Sequence, residues 1–175
     1  MPFELKRTID LLDNYPAILE SVFLVLPENI LHSNEGGETW SPYEVLGHLI
    51  HGEKTDWIAR TMIILEAGKE QKIFEPFDRL GHIKQEKKPL ELMLKEFKTL
   101  RRLNIETLKK LGITQHHLSQ TGIHPHLGEV KLSQLLATWV AHDWSHLMQI
   151  NRVVVKQQGE YMGPWVQYFS TFTKK

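Results

Sequence analysis

The chain has 175 residues, 41% hydrophobic and 24% charged, with 21 Lys plus Arg against 21 Asp plus Glu, so its formal net charge is zero. That balance argues against holding nucleic acid by phosphate neutralisation, which needs a basic excess on at least one face. Cysteine is absent, which removes disulfides, thiolate-bound zinc, iron–sulfur clusters and a cysteine nucleophile together.

The length reads as one domain over residues 1–175. The N-terminus alternates charged and apolar residues where a signal peptide would be continuously apolar. No stretch is long and apolar enough for a membrane span, so the expected location is the cytoplasm. Ten His stand out in a chain with no other soft metal ligand.

The first helix carries Leu5, Ile9, Leu12, Pro16, Leu19, Phe23 and Leu26 at alternating spacings of four and three, a bundle-type seam. Pro16 loses one helical hydrogen bond, so the expectation is a kink near Asn14–Tyr15 or a fresh start capped by Asn14. The second helix opens on a capping box, Ser41-Pro42-Tyr43-Glu44, and is expected to run to about Ala67, with Gly68 as its stop. Val45, His48, Gly52, Thr55, Ala59, Met62 and Ile63 share its inner face.

A polar stretch from Lys69 to Lys88 follows, containing Phe74-Glu75-Pro76-Phe77. A connection of that length is expected to be a lid, a binding element or a crossover. The third helix runs from near Pro89 to just before Gly112. Thr114 to Val130, with two glycines and His116, His117, His124 and His126, reads as an irregular connection.

The fourth helix spans about Leu132 to Gln158, with Leu132, Leu135, Trp139, His142, His146, Gln149 and Val153 facing inward. The aromatic tail, with Tyr161, Trp165, Tyr168 and Phe169, is expected to pack back on the body. No alternation indicates strands. Four long amphipathic helices give an all-α fold, a four-helix bundle.

His142 and His146, four apart, stack on one helix face and can reach one ion. Ten His placed at random would give about half a pair at that spacing, so the spacing alone is weak. Two observations strengthen it: the pair interrupts a seam of Leu and Trp, and His48 sits on the inner face of another helix beside Gly52. Buried imidazoles facing one another are costly unless an ion accepts their nitrogens.

Three His without a fourth protein ligand is the composition of an open site, where a bound water would have its pKa lowered toward neutrality. Zinc leads, and imidazoles also suit nickel, iron and copper. Asp143, Gln149, Glu53 and Asp56 are candidates to support the ligands. Gln149 is best placed, and Asp143 reads equally as a surface acid or as a partner for an imidazole N–H. Arg101 reads as solvated, with neutralisation of an anionic ligand as the alternative. His51, His116, His117, His124 and His126 read as ordinary polar residues, with approach of His124 and His126 to the site as the lesser alternative. Trp40, Trp57, Trp139 and Trp144 read as packing.

Trp40 to Leu49 and, much later, Trp139-Val140-Ala141-His142-Asp143-Trp144-Ser145-His146-Leu147-Met148-Gln149-Ile150 resemble the paired motifs of the DinB-like superfamily of metal-dependent proteins. Phe97 to Leu111, with Arg101, and the His124–Gly128 turn resemble it too. The superfamily has relatives of the bacillithiol S-transferase and mycothiol-dependent maleylpyruvate isomerase types. The resemblance implies an up-down-down-up bundle with a long crossover between helices 2 and 3. It also implies a divalent metal, often zinc or nickel, on His48, His142 and His146, and a homodimer. Lys131 departs from the Thr-like cap of relatives.

The functional expectation is a metal-dependent enzyme acting on a small molecule, either a thiol-dependent S-transferase using a low-molecular-weight thiol or a hydrolase. The lack of an obvious acidic base in the motif favours the thiol slightly. The alternative is a non-catalytic, stress-related metal- or ligand-binding bundle. No catalytic side chain is singled out, and no nucleic-acid or membrane partner is expected.

Overall fold

The computed structural model describes residues 2–66 and 73–173. The first seam folds as α1 (Leu5–Phe23), burying Leu12, Tyr15, Leu19 and Phe23. The helix runs on through Pro16, so the fresh start capped by Asn14 does not occur. The Leu12 carbonyl, one turn back, accepts instead from Arg101 Nη1 at 3.0 Å. A short helix, α2 (Glu28–Leu31), follows.

The capping box forms as read: Ser41 Oγ accepts the Glu44 N–H at 3.3 Å, and Glu44 Oε2 accepts the Ser41 N–H at 2.8 Å. The expected single helix is two, α3 (Pro42–Thr55) and α4 (Trp57–Leu65), joined at Asp56 with φ −113° and ψ −72°. Trp57 folds back over Gly52, where a Cβ would stand 3.3 Å from its indole nitrogen. The expected end at Ala67–Gly68 and the start of the polar stretch at Lys69 lie outside the described residues.

The third seam is α5 (Leu90–Lys110), followed by Gly112 at φ +56°. The segment read as irregular is more ordered than expected. It forms α6 (Gln115–Ser119) and an antiparallel hairpin of β1 (Thr121–His124) and β2 (Gly128–Lys131). Strands this short leave too few alternating positions to register as a pattern. The last helix is α7 (Leu132–Gln157), within a residue of its expected span. Lys131 offers no side-chain acceptor at its start, but Gln134 Oε1 takes the Lys131 N–H at 2.8 Å.

Side-chain pairs fix the directions. Lys98 pairs with Glu20 and Lys109 with Asp13, so α5 runs antiparallel to α1. Glu53 meets Trp139 while His48 meets His142, so α3 opposes α7. Gly47 lies beside Met93 and Glu53 beside Arg101, so α3 and α5 are parallel. Tyr15 bonds to Asp143 and Leu19 packs in the cluster containing Ile150, which makes α1 and α7 parallel. The bundle is up-down-down-up, and parallel neighbours α3–α4 and α5 need the long crossover between them.

Two apolar clusters fill the interior. One gathers Tyr15, Leu19, Phe23, Leu46, Phe97 and Ile150; the other gathers Leu12, Ile64, Phe74, Ile105, Leu136 and Trp139. The aromatic tail does not close the bundle as expected: Tyr161, Trp165 and Tyr168 are 84%, 68% and 74% exposed. Two 3-10 turns, Gly159–Tyr161 and Gly163–Tyr168, bury none of their side chains and so hold those rings outward.

Candidate metal centre

The opposed run of α3 and α7 carries His48 toward His142 and His146. His48 Nε2 lies 3.0 Å from His142 Nε2, which lies 3.2 Å from His146 Nε2. One nitrogen of each ring falls within 4.8 Å of the others. Two nitrogens about 2.0–2.1 Å from a common ion stand about 3.3 Å apart at a tetrahedral angle and about 2.9 Å apart at a right angle. The two measured separations lie between those limits, so the donor set fits a first-row divalent ion.

Protonation favours the same use. Burial, then the rings of His146, His142 and His82, lower the His48 pKa to about 3. Burial and His142 lower His146 to about 4, against the opposing pull of Gln149 and Asp143. Both rings are therefore neutral at pH 7 and can offer lone pairs. Gln149 Oε1 lies 2.9 Å from His146 Nδ1. An acceptor there places the proton on Nδ1 and leaves Nε2 free for a ligand bond. Gln149 thus contacts a ring of the cluster from its place on the seam.

Other aromatic rings fix the imidazole planes. Trp40 packs on His48 at 4.7 Å between ring centres, and Trp57 meets His142 edge-on at 5.2 Å while stacking on Trp139 at 5.6 Å. Trp40, Trp57 and Trp139 pack as read, while Trp144 remains 37% exposed.

Beneath the rings lies a buried ionic layer. Arg101 is neither solvated nor placed to meet a ligand: it is 1% exposed and pairs with Glu53 Oε1 at 2.7 Å and Asp143 Oδ2 at 2.8 Å. Asp143 is likewise buried, with Oδ1 4.0 Å from His142 Nδ1. Glu53 also accepts from Trp139 Nε1 at 3.0 Å and Asn104 Nδ2 at 2.9 Å. Burial raises the Glu53 pKa, and the Arg101 charge opposes that rise. The layer ties α3, α5 and α7 together behind the imidazoles.

In front of the rings opens a cavity of about 480 Å³, within the size range of small-molecule sites. Asp56 lines it and pairs with Arg60 Nε at 2.6 Å. Burial raises the Asp56 pKa, with Arg60 opposing. The hairpin brings His124 and His126 to the same wall, while the crossover brings Phe74, Phe77 and Arg79. The long connection signalled a binding element, but nothing in its sequence told which of its residues would face the site. His82, also from the crossover, is buried against Trp40 and His48. His51 packs on Phe77 at 5.1 Å, away from the cluster.

Fold and centre together define a four-helix bundle with a three-imidazole site at the edge of a cavity. The chain belongs to the DinB superfamily, whose family model matches residues 11–150. YfiT from Bacillus subtilis, described as a probable metal-dependent hydrolase with an unusual four-helix bundle topology, is similar at a TM-score of 0.74. The match covers 87% of this chain and 86% of that one at 17% sequence identity, a likeness of fold. No curated protein matches the sequence.

Proposed function

We propose that this protein is a metal-dependent enzyme whose His48, His142 and His146 hold one divalent ion, zinc or nickel, with open positions toward the cavity and a small-molecule substrate. The observation that carries the reading is the convergence of three buried or half-buried imidazole nitrogens at the cavity wall. A divalent ion, when bound there, acidifies a water or thiol beside it and polarises a carbonyl.

The chain supplies the rest. Gln149 holds the His146 tautomer, and Trp40 and Trp57 hold the ring planes. Phe74 and Phe77 limit water at the cavity wall. Asp56, its carboxyl pKa raised by burial, stands where it can accept a proton from a nucleophile. That carboxylate supports hydrolysis, and the description of YfiT points the same way.

The second reading, thiol-dependent S-transfer, is favoured by the ligand set. Three neutral donors leave the ion its full positive charge, which attracts an external thiolate. A homodimer in the cytoplasm accompanies either reading, with the exposed tail aromatics as apolar surface for the former.

Cobalt-loaded protein distinguishes these cases. A sulfur charge-transfer band on adding small thiols supports transfer; turnover of activated esters or amides without thiol, lost in Asp56→Asn, supports hydrolysis. A cobalt spectrum unmoved by any added ligand leaves a non-catalytic metal-binding bundle. Equal, negligible metal in untagged wild-type protein and His142→Ala overturns the metal centre itself.

A further inference from the structure

The charges on the cavity wall do not cancel. Asp56 is matched by Arg60, whose guanidinium also lies 5.2 Å from the Phe74 ring centre. Arg79 also lines the cavity, is exposed, and has no ion-pair or side-chain hydrogen-bond partner among the described residues. It shares that wall with His48, His142 and His146. A divalent ion held by the imidazoles would only add positive charge.

The remainder of the wall is largely apolar: Trp57, Phe74, Phe77, Leu127, Val130 and Leu135. An apolar cavity with one unmatched guanidinium recognises a ligand with an apolar body and a single anionic group, since the guanidinium fork matches a carboxylate.

We infer that the cavity selects organic monocarboxylates, the apolar body lying against Phe77, Leu127 and Val130 and the carboxylate on Arg79. This rests on the cavity's being the substrate site proposed above. The reacting bond would lie on the side of the body facing the imidazoles, with the carboxylate serving only as a handle. Asp56, already neutralised by Arg60, would not repel such an anion. In the metal-free protein a second carboxylate would find no other unmatched guanidinium on the wall, so dicarboxylates would gain nothing there.

The test uses 3-phenylpropionate and its neutral isostere 3-phenylpropanamide, titrated calorimetrically into metal-free and cobalt-loaded protein. The expected result is about tenfold or greater preference for the carboxylate in both forms. Arg79→Gln should abolish that preference while leaving amide binding unchanged, which also reports an intact cavity. Phe77→Ala should weaken both probes alike.

Equal binding of the two probes to wild-type protein overturns the inference, as does a preference that survives Arg79→Gln. A carboxylate preference seen only in the cobalt-loaded form places the anion on the ion and also overturns it. The cobalt spectrum is recorded in every titration. An intact spectrum with no carboxylate preference sinks this inference alone, whereas protein that takes up no cobalt sinks the metal reading and leaves the metal-free comparison standing.

Discussion

Arg101 Nη1 donates to the Leu12 carbonyl at 3.0 Å, the carbonyl that Pro16 leaves without its helical donor. The same guanidinium holds two buried carboxylates, so a proline in α1 and an ionic layer between α3, α5 and α7 are one structural unit. Arg101→Met leaves Glu53 and Asp143 without their counter-charge and should cost roughly 3–5 kcal/mol, the usual penalty for half of a buried pair. Pro16→Ala restores an N–H to Leu12 and should soften that loss by about 1 kcal/mol. Urea unfolding of the wild type, both single variants and the double variant measures this coupling; strictly additive losses would show that the carbonyl is satisfied some other way.

Gln149 should matter to the metal without touching it. Its contact with His146 Nδ1 fixes which nitrogen is free. Gln149→Leu should weaken zinc or nickel binding by about 10–100-fold, the usual effect of losing such a partner, with little change in the stability of metal-free protein. His142→Ala, which removes the ring shared by both short contacts, should abolish metal-induced stabilisation. In the wild type that stabilisation reaches about 2.7 kcal/mol at a hundredfold excess over Kd. Thermal unfolding with and without metal reads both variants.

Acid should weaken the metal-free protein. In the folded chain His48 and His146 have pKa values lowered to about 3 and about 4, whereas an unfolded His titrates near 6.5. As pH falls below about 6.5 the unfolded chain takes up these protons before the folded one. Stability from the two neutral rings is thus complete above that pH and drains away as pH falls toward 4 and then 3. Each ring contributes a slope of up to about 1.4 kcal/mol per pH unit over its window. Urea midpoints of chelator-treated protein at pH 7, 6, 5 and 4 test this, and His48→Gln should reduce the slope. A flat profile would place both rings in solvent.

The three histidines were legible because helix periodicity converts sequence spacing directly into a face, and polar residues on an apolar seam stand out. The capping box, α5 and α7 were legible for the same local reasons. Arg101 was not: it sits on the flank of its helix, and its burial is decided by Glu53 and Asp143 on other chain segments. The break at Asp56 was hidden because a helix with a one-residue irregularity keeps its apolar period on both sides. The compensation of Pro16 was hidden because the donor that meets the Leu12 carbonyl lies 89 residues away in the chain. Arg60, Arg79 and Phe74 reach the site through a turn and a crossover, whose geometry no periodicity encodes.

The hairpin and the crossover meet at Gly122, and that contact shapes the cavity. Phe74 N–H donates to the Ile123 carbonyl at 2.9 Å, and the Phe74 ring covers Gly122 so closely that a Cβ there would fall 2.5 Å from its Cε1 and 3.0 Å from Ile64. Phe74 is 1% exposed and packed in the core, so it cannot yield as a flexible chain end would. Gly122→Ala should therefore cost about 1–3 kcal/mol as an overpacking change and shift the ring into the cavity. Metal uptake, which depends on α3 and α7, should stay near wild type, while both phenylpropanoid probes bind more weakly. Normal probe affinity in a destabilised Gly122→Ala protein would mean that the hairpin, and not Phe74, had moved.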